Sequence, residues 1–257
     1  MIIYLLVIII VICIYLNTKS LGVNFSTPSI FNSLVYTKPF QKYLNSIKHT
    51  EYFYRYHTKN ITNINQIYSN NIEIFSTDEK KLIYEKVNEV ILKIPKFINK
   101  QHWNFIKLNS AIDNGMPFTI GNYIILPSNF SILNNIEEIL FHEQIHIHQY
   151  NNPSLYENIY LKSGFKKLSK KRKKYIDNYF NIMTNPDGLD IYIYNKKYVP
   201  LLIINKNNKL ENIVYDQNEN TVKSIDIFKN IFNIKHNAYH PAEIITEIII
   251  NLYFNNI

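Results

Sequence analysis

The chain has a single cysteine, Cys13, which lies inside an N-terminal apolar stretch. No intramolecular disulfide can brace the fold, so a hydrophobic core must hold it. Glycine and proline are few, 5 and 9 in 257 residues, which excludes collagen-like and Gly- or Pro-rich linker architectures. Histidine is scarce too, 8 in all, so a close group of His142, His146 and His148 stands out. What is abundant is Ile, Asn, Lys and Tyr, a bias that AT-rich coding produces by itself. Asn-rich stretches are therefore no sign of disorder. A hydrophobic share of 46% over this length supports one domain with a sizeable core, or two small lobes sharing a cleft.

The net charge of +8 suits an anionic partner. Its one dense cluster, residues 166–174 reading KKLSKKRKK, is either a solvated helix face or loop, or a contact for an anionic surface. No nucleic-acid motif accompanies it, so no specific nucleic-acid partner is expected.

Residues 2–16 form an uncharged apolar run closed by Asn17, Thr18 and Lys19. It lacks the basic start and small-residue cleavage site of a secretory leader. Residues 1–19 are accordingly expected to be an uncleaved signal anchor, a single transmembrane pass placing the protein at a membrane. Lys19 and Lys38 lean the orientation toward a cytoplasmic domain.

Further along, residues 24–71 read as short helices and strands, and helical spacing of Leu82, Ile83, Val87, Val90, Ile91 and Ile94 predicts a helix over 77–99. Strands are expected at 103–108 and 123–126. A helix capped by Asn134 or Asn135 then runs to about Asn151. Residues 154–184 read as helical and basic, and Asn185-Pro186-Asp187-Gly188 as a turn. Strands at 191–194, 199–204 and 213–215 suggest a β insertion over 185–216. Pro241 opens an apolar helix over 242–254.

Within the predicted helix, His142-Glu143-Gln144-Ile145-His146 has the H-E-x-x-H spacing. Four residues turn a helix by about 400°, so both imidazoles share one face and can grip one Zn²⁺, with Glu143 beside the metal as a base for its water. His148, about 200° from His146, points elsewhere and reads as a surface residue or an outer support of the site. Two imidazoles leave zinc short of a protein ligand. In Tyr239-His240-Pro241-Ala242-Glu243-Ile244-Ile245-Thr246-Glu247, two acids sit one turn apart on an apolar helix and need partners.

Together these two segments resemble the gluzincin metallopeptidases, and the combination is similar to uncharacterised zincin-like proteins of large DNA viruses. The resemblance covers about residues 103–254 and implies Glu243 as third zinc ligand and Glu247 as a brace for His142 or His146. It implies one zinc per chain and a protein or peptide substrate. The strand at 123–126 would be the sheet edge along which extended substrate pairs. His240 is the runner-up ligand, and Tyr239, His240 and His236 are candidates to meet the developing oxyanion. For Glu243 the plain alternative is an acid at a helix N-terminus. The fold class expected is α+β: a zincin-like domain over 20–257 with a small mixed sheet, an active-site helix and a helical C-terminal part, preceded by the transmembrane helix. Two other classes are weighed: a membrane or virion component keeping the fold without the activity, and a basic nucleic-acid-binding protein.

Overall fold

The computed structural model describes residues 22–99, 101–236 and 238–254. The expected anchor at residues 2–16 lies outside them. Among the described residues no helix is long and apolar enough to cross a membrane.

The fold is mixed α+β, built on two sheets. In the first, β3 (Trp103–Leu108) lies beside β1 (Val23–Phe25), β2 (Ile72–Glu73) and β5 (Tyr123–Pro127), and β4 (Phe118–Ile120) pairs with β5 at the edge. The β1–β3 and β3–β5 pairings are parallel, the β2–β3 and β4–β5 pairings antiparallel. Helices cover both faces, so β3 and β5 are apolar at nearly every position rather than alternating. Alternation decides only which face: Phe105, Ile124 and Leu126 enter one core, Ile106, Leu108 and Ile125 the other.

The first core receives α5 (Thr77–Lys93), α6 (Ile136–Asn151) and α10 (Pro241–Tyr253), and the second receives α1 (Pro28–Leu34), α2 (Lys38–Leu44), α3 (Tyr52–Tyr56) and α4 (Ile64–Asn70). Helix α5 starts with a reciprocal cap, Ser76 accepting from the Glu79 amide while Glu79 accepts from the Ser76 amide, and it stops ahead of Pro95, short of the expected end at 99.

The second sheet is wider than the expected 185–216 stretch. Its order is β10 (Thr221–Ser224), β9 (Leu210–Asp216), β8 (Tyr198–Ile204), β7 (Tyr192–Tyr194) and β6 (Phe165–Lys167), antiparallel throughout. Residues 154–184 are thus not one helical run. Helix α7 (Pro153–Lys162) ends at Gly164, whose φ of +95° a helix cannot hold. The chain then enters β6, where Phe165 packs with Tyr194 and with Phe228 and Phe232 of α9 (Asp226–Phe232). Helix α8 (Lys170–Tyr179) carries most of the basic cluster and buries only Ile176, so its lysines form a solvated face. Lys167 of that cluster pairs with Asp190, and Lys173 donates to the Leu189 carbonyl.

One expectation about the first sheet is corrected. The 123–126 strand is interior, between β3 and β4. A tight turn at Gly121, φ +60°, folds β4 back outside β5, so Phe118–Ile120 forms the edge.

Candidate metal centre

Helix α6 is buried along most of its length, with Leu140, Phe141, Ile145 and Ile147 fixing its rotation in the core. That rotation turns His142 and His146 toward α10. Their Nε2 atoms are 2.9 Å apart, and Glu243 Oε2 lies 3.2 Å from His142 Nε2 and 3.5 Å from His146 Nε2. Ligands held at about 2.0–2.2 Å around a tetrahedral ion are about 3.3–3.6 Å apart. The triangle matches one face of such a tetrahedron, slightly contracted on the His–His edge. Among the described residues, these three form the group able to hold a metal ion. The His142 side chain keeps 16% exposure against 1% for His146 and 3% for Glu243. The site therefore opens on the His142 side.

Two of the three, His146 and Glu243, are held from behind. His146 Nδ1 is 2.8 Å from Gln149 Oε1, while Gln149 Nε2 donates to the Ala242 carbonyl at 3.0 Å and to Thr246 Oγ1 at 3.1 Å. An amide oxygen only accepts, so Nδ1 carries the proton and Nε2 presents its lone pair to the metal position. Asn185 Nδ2 donates at 2.9 Å both to Glu243 Oε1 and to the Tyr239 hydroxyl, leaving Oε2 for the metal. Glu143 is buried, and Thr119 of the edge strand donates to its Oε2 at 2.8 Å.

The electrostatics are those of a place prepared for positive charge. Burial pulls His142 and His146 downward, yet Glu243, and at His146 also Asp187, outweigh it and lift both above the ordinary histidine range. Glu243 in turn is held well below the carboxylate range, His146 and His142 overcoming its burial.

Other expected residues fall as follows. Glu247 is buried on the cleft wall, near enough to His142 and His236 that both oppose the upward push of burial on its carboxyl. The residue that braces His146 is Gln149. Tyr239 lines the cleft with its hydroxyl beside Glu243, and burial, Glu243 and Asp187 all push it up. His240 spends both ring nitrogens on the fold: Nδ1 accepts from the Ala242 amide at 3.1 Å, capping α10, and Nε2 donates to the Asp190 carbonyl at 3.1 Å. Burial pushes it down to about 4. His148 does point away from the metal, but inward rather than to the surface, against Tyr156 and Phe97. His236 is exposed at the mouth.

The metal group opens into a cleft of about 530 Å³ lined by Pro117 and Phe118 on the sheet side and Thr184, Asn185 and Asp187 opposite. Behind it lies a fully buried charge network. Arg55 donates to Glu51 Oε2 (2.6 and 2.9 Å), to Asp113 Oδ1 (2.6 Å) and to the Thr184 carbonyl, and Glu51 accepts from the Thr184 amide and hydroxyl. Thr184 is thereby fixed next to Asn185. Four contributors, Thr119, Gln149, Asn185 and Asp187, were not singled out for the site by sequence. Only Gln149 left a local trace, a polar residue one turn after His146 on a buried helix.

Comparison with protein-family models, with curated proteins and with solved structures finds no match to the chain.

Proposed function

We propose that this protein is a zinc-dependent peptidase of gluzincin type, hydrolysing protein or peptide substrates. The observation that carries the reading is a pairing: the tetrahedral spacing of His142, His146 and Glu243, with the Glu143 carboxylate held by Thr119 in the same cleft. Two neutral imidazoles and one carboxylate suit zinc, and three ligands leave a coordination position for chemistry. Zinc bound there would bring the pKa of a water toward neutrality and polarise a scissile carbonyl.

The chain's own residues supply the rest. Glu143 accepts the proton of the attacking water and delivers it to the leaving amine. Thr119 fixes one carboxylate oxygen and leaves the other for the proton transfer. The Tyr239 hydroxyl accepts from Asn185 and lies beside Glu243 on the cleft wall, where its proton can turn from that carboxylate to an oxyanion. Phe118 at the start of the edge strand β4 lines the same cleft, so an extended peptide entering there can add along that edge as a further strand.

The test is Glu143→Gln in the full chain. It should keep one zinc per chain by elemental analysis while losing at least about a thousandfold in peptide hydrolysis. Hydrolysis that survives the change would refute the mechanism, and a wild-type protein that holds zinc but cleaves nothing in a broad peptide library would move the reading to a binding module.

A further inference from the structure

We infer that Met116, Met183 and Leu202 form an apolar subsite of the cleft, with one wall supplied by the second sheet, so that the protein selects peptides carrying an apolar side chain close to the cleaved bond. This deepens the peptidase reading and rests on it.

The first observation is where the three residues meet. All of them line the cleft that holds His142, Glu143 and Glu243. They belong to a small apolar cluster with Tyr54 of α3, Ile204 and Leu210, separate from the larger cores against the two sheets. Met183 and Tyr54 are buried and form its base. Met116 and Leu202 are only half-buried, so apolar surface stays open inside the cleft. Open apolar surface in a concave site, unlike a lone apolar residue on the outside, is what a ligand side chain covers.

The second observation is how near this group lies to the chemistry. The Met183 amide donates to the Leu202 carbonyl at 2.9 Å, and Ile182 bridges to Ile203, so the segment before the site runs along β8 and joins the second sheet to the cleft. Two residues after Met183 comes Asn185, which holds Glu243. On the sheet side, Met116 precedes by three residues Thr119, which holds Glu143. Two and three extended residues span at most about 7 and 11 Å. That is the reach of about three residues of extended substrate from the metal group.

Third, the two walls are pinned to each other. Arg55 donates to Asp113 Oδ1 at 2.6 Å, three residues before Met116, and also to the carbonyl of Thr184, next to Met183. One buried guanidinium thus sets the gap between them before any substrate arrives, which lowers the ordering cost of binding. The lining itself is adaptable. Two of the three residues are methionines, whose unbranched side chains adjust to Leu, Met or Phe rather than to one shape.

Binding to the zinc-loaded full chain carrying Glu143→Gln tests this without turnover. Three fluorescent peptide mixtures, blocked at both ends and with flanks randomised among Gly, Ala, Ser and Thr, are compared: one with a central Leu, one with a central Phe, one with a central Asn. Binding of the Leu or the Phe mixture about tenfold tighter than the Asn mixture is the expected result. The margin should fall below about threefold when Leu202→Asn or Met116→Gln is added, each of which keeps the side chain's size and makes it polar. Zinc content equal to the parent's shows that a variant is folded, and Leu202→Ala and Met116→Ala take their place should either lose it. The wild-type chain should cut the better-bound peptides within about three residues of the central position. Equal binding of all three mixtures, a margin that survives both substitutions, or cleavage placed without regard to the central residue would overturn the proposal. Apolar-selective binding by a wild-type chain that hydrolyses none of the peptides would instead count against the peptidase reading and leave the subsite standing.

Discussion

Gln149 shows how much one amide can decide. It fixes the tautomer of His146 and, through its nitrogen, ties that ring to two groups of α10. Gln149→Leu keeps most of the volume and removes both functions. Zinc affinity should fall about 10- to 100-fold, read by competition with a chromophoric chelator, with the circular dichroism spectrum unchanged. At this scale the local part of the site was legible, because an i, i+4 pair on a helix needs no tertiary knowledge. Glu243 was reached through family resemblance and a physical unease about acids in an apolar helix. Thr119 and Asn185 were out of reach, since 24 and 58 residues separate them from the carboxylates they hold. His148 was legible in direction but not in depth: rotation follows from spacing, burial from what packs outside the helix.

Among elements, the 185–188 turn matters most, because it carries the support of Glu243. Its weak point is Gly188, where any side chain meets the His240 imidazole. Gly188→Ala must push either the turn or the ring that caps α10. A loss of about 1–3 kcal/mol in denaturant unfolding is expected, together with weaker zinc binding, because Asn185 moves with the turn. A variant with unchanged zinc affinity would show that the turn does not set the metal site. Elements with strong periodicity and a clear stop were legible, as in α5 and β3. The 154–184 region was not: its lysines and tyrosines fit a helix, whereas Gly164 and the aromatic nest around Phe165 direct a strand into the second sheet. The edge of the first sheet was misplaced by one strand, since three residues of β4 carry too little pattern to announce themselves.

Over the whole molecule, the Arg55 network joins the helical layer behind the first sheet to the segment leading into the site. Glu51 and Arg55 have the i, i+4 spacing of a helical ion pair, which on a solvated face contributes little. Their exposures are 0% and 1%, which changes their meaning from decoration to framework. Arg55→Met leaves Glu51 and Asp113 buried without a counter-charge, and a cost of about 3–5 kcal/mol in unfolding free energy is expected. A loss below about 1 kcal/mol would show that water reaches the network.

The bond from Gln149 to α10 has one more consequence. It ties the helix carrying His142 and His146 to the helix carrying Glu243 with protein atoms alone. Ion binding then need not drive folding, unlike in small domains that collapse only around their zinc. Chelation should strip the ion and leave a folded shell, ready to take Co²⁺ in its place as a spectroscopic reporter of the coordination sphere.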